Sequence, residues 1–201
     1  HLGELKPGQR EMISRIDLRA HSLSEIVGDL LVLAAGRTQL SILKPNPVDV
    51  QKLTLETAKF FETRAEEKNI SLSVTGHLPD PLVYGNQEGL RSVLTNLLSN
   101  AFKYSPPDRT VKLSLWVEGL TARIEVLDEG IGIPAADLPH LGEAFFRASN
   151  AGHLPGSGLG LLIAVQALEL IDGNLQIESI EGKGTLARVT FPLRLSAPAE
   201  S

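Results

Sequence analysis

The chain has 201 residues, 42% of them hydrophobic but only 4% aromatic, enough for one full domain and an appendage with a core of mostly Leu, Ile, Val and Ala. A formal charge of −5 offers no basic stripe for nucleic acid, and the absence of cysteine excludes disulfide frameworks and thiolate metal sites. The widest uninterrupted apolar run, Leu30 to Ala35, is far short of a membrane span, and no signal-peptide pattern opens the chain, which reads as soluble and intracellular.

Residues 1–8 read as loop, broken by Gly3, Pro7 and Gly8. From Gln9 to about Leu43 the pattern is helical. Ile16, Leu23 and Leu30 recur every seven residues, Ile13, Ala20, Val27 and Ala34 form a companion row, and Ile26 and Leu33 widen the stripe. Such a helix needs a partner to bury its seam, which predicts a homodimer or a partner helix outside this sequence. Pro45 and Pro47 end it.

Val48 to Asn69 reads as a second amphipathic helix, Ile70 to Thr75 as a strand, and Pro79-Asp80-Pro81 as a turn before a short strand, Leu82–Tyr84. A third helix follows Gly85 and Asn86 and ends near Tyr104, before Pro106-Pro107. Val111–Val117 and Ala122–Leu127 alternate around Glu118-Gly119 as a hairpin. Leu159–Ile171 reads as a helix, and Leu175–Ser179 and Thr185–Leu193 as the last strands. This order predicts an α+β two-layer sandwich: a mixed, mostly antiparallel sheet with helices on one face, preceded by one long bundle helix. The expected divisions are 1–46, 47–196 and a disordered tail, 197–201.

Chemistry concentrates in five stretches. In the third helix Leu90, Val93, Leu94, Leu97, Leu98 and Ala101 make the buried face, which places Asn96, Asn100 and Lys103 together on an adjacent one. Asparagine is a mediocre helix former, so two here bring no structural return; their amide oxygens suit a hard cation and Lys103 suits phosphate. A solvent-wetted polar face is the bland alternative. Next come Asp128-Glu129-Gly130-Ile131-Gly132-Ile133-Pro134, then Phe145-Phe146-Arg147, then Gly156-Ser157-Gly158-Leu159-Gly160-Leu161, and last Gly182-Lys183-Gly184-Thr185. No strand precedes Gly156, so a Rossmann loop fails its context, and Gly182-Lys183-Gly184 lacks the spacing of a P-loop.

In this order the first four stretches resemble the N box, first glycine box, F box and second glycine box of sensor histidine kinases, and the Gly-x-Gly-Thr of the last resembles a strand signature of that family. Its ATP-binding catalytic domain shares a Bergerat-type fold with type II topoisomerases, heat-shock chaperones and mismatch-repair proteins. The likeness runs from about Val48 to Leu195. It implies ATP and Mg²⁺ as cofactors. Asn100 would ligate Mg²⁺ with Asn96 in support, Lys103 would meet phosphate, and Tyr104 would flank the nucleotide. Asp128 would accept a hydrogen bond from adenine N6, with Gly130, Gly132 and Ile133 framing the base. Gly156, Ser157, Gly158, Leu159, Gly160 and Leu161 would meet the phosphates at a helix start, and Thr185 would sit on the neighbouring strand. Phe145 and Phe146 would anchor the root of a short lid between Phe146 and Gly156, and Arg147 would reach phosphate or a carboxylate. Ser157 stands where many members carry threonine.

The first helix resembles the second helix of the family's dimerisation and phosphotransfer hairpin, through Asp29-Leu30-Leu31-Val32-Leu33-Ala34. The phosphoaccepting run, typically His-Glu-Leu-Arg-Thr-Pro-Leu, is absent: His1 precedes Leu2-Gly3 and His21 precedes Ser22. The resemblance therefore implies a kinase that moves the ATP γ-phosphoryl to a histidine outside this sequence and on to a response regulator receiver domain. The chain by itself is not expected to autophosphorylate. It implies cytoplasmic work without membrane contact by these residues, in a parent that is sometimes anchored in the inner membrane. A serine kinase of the anti-sigma class shares the boxes but lacks the first helix. A non-catalytic interaction module is the competitor of another class, and the intact boxes speak against it. His77, His140 and His153 have no metal-binding spacing and read as loop residues.

Overall fold

The computed structural model describes residues 6–39, 46–76, 82–152, 154 and 156–193. The first helix, α1 (Pro7–Gln39), opens with proline at its first position, where the missing N–H costs nothing. Its heptad stripe is exposed: Ile16 is 60% and Leu23 62% accessible, and Met12, Ile13, Val27, Leu30 and Leu31 are also exposed. The expected continuation to Leu43 and the 197–201 tail lie outside the described residues.

The expected start of the second helix at Val48 is corrected. Asn46–Asp49 is a strand, β1, antiparallel to β3 (Leu82–Gly85) with Val48 opposite Val83. Val48 is buried. Its apolar character served helix and strand patterns equally, and Pro47 favours the extended form. Helix α2 (Val50–Lys68) begins at the next residue, where Asp49 accepts from the Lys52 N–H at 2.8 Å as N-cap, and it ends at left-handed Asn69.

β2 (Ser71–Gly76), β4 (Thr110–Glu118), β5 (Thr121–Asp128), β6 (Asn174–Ile180) and β7 (Gly184–Pro192) form one sheet in the order β2-β4-β5-β7-β6. Only β2–β4 is parallel; the other pairs are antiparallel. On one face Val111, Leu113, Leu115, Ile124, Val126, Val189 and Phe191 are buried against α2, α3 (Gln87–Tyr104) and α4 (Gly160–Glu169). The rings of Phe61 in α2 and Phe102 in α3 stack at 5.5 Å. The two-layer sandwich, its mixed sheet and its one-sided helices are those the sequence predicts. Two short 3₁₀ turns, 138–140 and 149–151, are additional.

Candidate functional site

Helix α3 starts where Asn86 Oδ1 accepts the N–H groups of Glu88 (2.9 Å) and Gly89 (3.1 Å). Its apolar face is buried as the spacing requires, and the adjoining edge turns Asn96, Ser99, Asn100, Lys103 and Tyr104 toward a cavity of about 440 Å³. The floor is the end of β5 with the neighbouring strands: Val126 and Asp128, and Ile177, Thr185 and Ala187. The loop after β5 contributes Ile131, Gly132 and Ile133, the 141–154 stretch contributes Phe146, Arg147, Asn150, Ala151 and Leu154, and the start of α4 contributes Gly156, Ser157, Gly158, Gly160 and Leu161.

Two expected contact residues lie off this wall. Gly130 is buried beneath it, where a Cβ would come within 2.7 Å of both Asp128 Oδ1 and the Tyr104 carbonyl oxygen. Leu159 is fully buried in the interior, because the turn into α4 points its side chain inward. A further correction concerns the root of the lid. Phe145 is 60% exposed with a φ of 65°, and the turn swings it outward, so only Phe146 packs inward, against the cavity and the His140 ring at 5.4 Å.

Asp128 is 8% exposed. Its Oδ1 accepts the N–H groups of Gly130 at 2.8 Å and Thr185 at 3.2 Å, while Oδ2 has no protein partner among the described residues. Burial pushes its carboxyl up to about 6, against the opposing pull of those two N–H groups. Gly132 adopts a φ of 62°, and a Cβ there would fall 2.0 Å from the Ile180 carbonyl oxygen, so this loop lies against the β6–β7 turn only as glycine. The Ile133 N–H donates to Ser179 Oγ, which also contacts Thr185 Oγ1 at 2.9 Å.

At the other end the groups are cationic. Lys103 Nζ lies 4.9 Å over the Tyr104 ring and so close to Gly156 that a Cβ there would be 2.1 Å away. Two cations missed in the sequence reading, Arg64 and Lys68 of α2, join it on the cavity wall. Lys68 Nζ donates to the Phe102 carbonyl at 2.8 Å, and its pKa is lowered by burial first and then by Arg64 and Lys103. Their four-residue spacing, which puts both on one edge of α2, is the signal the sequence holds for them. Asp29 of α1 also reaches this end and accepts a hydrogen bond from Ser157 Oγ. Ser157 Oγ in turn accepts from the Leu159 N–H at 3.1 Å, closing a local turn just before α4. Arg147 donates to the carbonyls of Gly152 and Leu154 and has no carboxylate partner among the described residues.

Asn96 Nδ2 donates to the Ser92 carbonyl at 3.0 Å, and its Oδ1 packs under Gly160, where a Cβ would stand 2.6 Å away. The Asn100 side chain has no hydrogen bond among the described residues and stays free for a ligand on the cavity wall. No cluster of three or more His, Asp or Glu able to hold a metal occurs among the described residues. His140 pairs with Glu143 at 2.9 Å, and His77 and His153 lie outside the described residues.

A pocket with a buried carboxylate at one end and lysines beside a glycine-rich helix start at the other defines a nucleotide-binding ATPase domain. Residues 85–195 match the family model described as "Histidine kinase-, DNA gyrase B-, and HSP90-like ATPase", and the chain belongs to that family. It carries the ATP-binding catalytic domain of a histidine kinase. It is 33% identical over 194 residues to the circadian input-output histidine kinase CikA of Synechococcus elongatus, covering 94% of this chain and 26% of that protein. It is 29% identical to the phosphate regulon sensor protein PhoR of Pseudomonas aeruginosa, covering 98% of this chain and 45% of that one. The chain thus spans less than half the length of these relatives. Among solved structures, a mycobacterial sensor histidine kinase MprB superimposes with a TM-score of 0.65 at 30% identity, over 75% of this chain and 98% of that one. Full-length ShkA in complex with AMPPNP superimposes with 0.75 at 25% identity, over 98% and 41%. No helix among the described residues is long and apolar enough to cross a membrane.

Proposed function

We propose that this chain binds Mg-ATP in the 440 Å³ cavity and presents the γ-phosphoryl group to a histidine outside this sequence, for relay to a response regulator aspartate in the cytoplasm. The observation that carries the reading is Asp128. One carboxylate oxygen is held by two backbone N–H groups and the other is left without a protein partner on the cavity wall. An acceptor placed there matches the exocyclic amine of adenine and disfavours guanine, whose O6 is itself an acceptor.

The remaining roles follow from position. Lys103 meets phosphate as a point charge, and the free N–H groups around Gly160 and Leu161, which open α4, complement phosphate oxygens. Tyr104, Ile133 and Phe146 supply apolar wall around the nucleotide. An amide oxygen suits Mg²⁺, and Asn100, uncommitted on this wall, is the residue that would hold it; Asn96, tied to Ser92 and roofed by Gly160, would support from behind. Held by Asn100, the ion would supply charge neutralisation for the nucleotide phosphates. The exposed stripe of α1 is the surface for a homodimer through the hairpin helices.

Thermal unfolding with and without Mg-ATP tests the reading on wild type, Asn100→Ala and Asp128→Asn. At a hundredfold excess over the dissociation constant, binding stabilises by about 2.7 kcal/mol. For a chain of this size that raises the melting temperature by roughly 5–10 °C. The rise shrinks in both variants. No rise in wild type would leave a nucleotide-free interaction module as the better reading.

A further inference from the structure

A second polar network joins the wall of the cavity to the loop after β5. Asp137 Oδ2 accepts from Ser149 twice, from its N–H at 2.7 Å and its Oγ–H at 2.8 Å. One residue on, Asn150 Nδ2 donates to the Gly132 carbonyl at 2.9 Å. The short turn 149–151 is therefore fastened at two successive residues to the 132–137 loop, across 12 and 18 positions of sequence. The Ser149 donors hold the Asp137 carboxyl below the usual carboxylate range, so it is ionised and accepting near neutral pH.

The chain of contacts continues toward Asp128. Ile133, next to Gly132, donates to Ser179 Oγ; Ser179 contacts Thr185 Oγ1; and the Thr185 N–H donates to Asp128 Oδ1. Asn150, Ala151, Gly132 and Ile133 all form cavity wall. Asn150 Oδ1, by contrast, is buried without a hydrogen-bond partner. An unpaired buried amide oxygen costs stability, so the amide is kept there at a loss that its single N–H contact must offset.

We infer that Asp137 and Asn150 are positioning residues of the adenine end, holding the Gly132–Ile133 loop and the 149–151 wall in register with Asp128 before nucleotide arrives. Without the two ties both segments would have to be ordered on binding, and that ordering would be subtracted from affinity. The inference rests on the nucleotide-binding reading above and assigns residues outside the four boxes to it.

Calorimetric titration of the full chain with ATP and, separately, with adenosine tests it. Asn150→Ala and Asp137→Ala should weaken ATP and adenosine by the same factor, about five- to tenfold, the scale of one or two hydrogen bonds. Asp137→Asn keeps an acceptor oxygen for Ser149 and should restore most of the loss. Lys103→Ala should weaken ATP while sparing adenosine, which shows that the two ends report separately. The Asp137–Ser149 contact is at the surface, so Ser149→Ala, expected to weaken both ligands by a smaller factor, serves if a larger truncation perturbs folding. Wild-type affinity for both ligands in Asn150→Ala and Asp137→Ala would overturn the inference and leave the nucleotide reading standing. A wild-type chain that binds neither ligand would overturn both.

Discussion

Asp128 is a buried carboxyl on the cavity wall, held there at a cost to stability. Its value of about 6 lies above the 3.8 of an ordinary aspartate, so the fold prefers its neutral form. As pH rises from about 4 to about 6 the unfolded chain ionises first and stability is lost; above about 6 the penalty is constant. Asp128→Asn should therefore match wild type in stability near pH 3.5 and exceed it at pH 8, by at most about 3 kcal/mol. Urea unfolding at the two pH values reads that difference, and an equal offset at both would refute it. On the proposed reading the same variant should bind ATP about ten- to hundredfold more weakly, because an amide N–H would replace the acceptor assigned to adenine N6. Wild-type affinity should likewise fall as pH drops through about 6. The added proton goes to Oδ2, since Oδ1 already accepts two N–H groups, and it turns the cavity-facing atom into a donor.

At the scale of the element, α3 joins fold and site in one helix, since its two edges face the core and the nucleotide cavity. Its start depends on Asn86, whose Oδ1 takes two of the N–H groups that the first turn leaves unpaired. Asn86→Ala should cost about 1 kcal/mol. The melting temperature should fall by roughly 2–4 °C. A drop of that size with unchanged adenosine affinity would place the effect in the helix start; an unchanged melting temperature would deny the cap its role. The 3.6-residue pattern made α3 and its cavity edge readable from the sequence. β1 was not readable, because four residues with a proline carry no period and its pairing with β3 is a contact across more than thirty positions. The parallel pairing of β2 with β4 was equally invisible, since alternation shows a strand but not its neighbour.

At the scale of the whole molecule, α1 carries an uncovered apolar stripe. Leu23 is 62% and Leu30 45% exposed on a stripe that continues over several turns, a surface that water disfavours. Sedimentation velocity should find wild type self-associating through that stripe, and Leu23→Glu with Leu30→Glu should return it to a monomer whose nucleotide affinity is unchanged. A monomeric wild type would show that the stripe needs a different partner helix.

The sequence by itself determined the elements with strong periodicity and the ordered boxes, because each depends on residues a few positions apart. Asn96, Asn100 and Lys103 share an edge by helix geometry alone, and Asp128 closes a strand whose alternation is plain. Only the tertiary structure decided which groups meet. It brought Arg64 and Lys68 beside Lys103, set Asp29 on Ser157, turned Phe145 outward, sank Leu159 into the core and tied Asn150 to Gly132. Those are contacts between segments far apart in the chain. They follow from how the helices and loops pack on the sheet, and no local pattern encodes that packing.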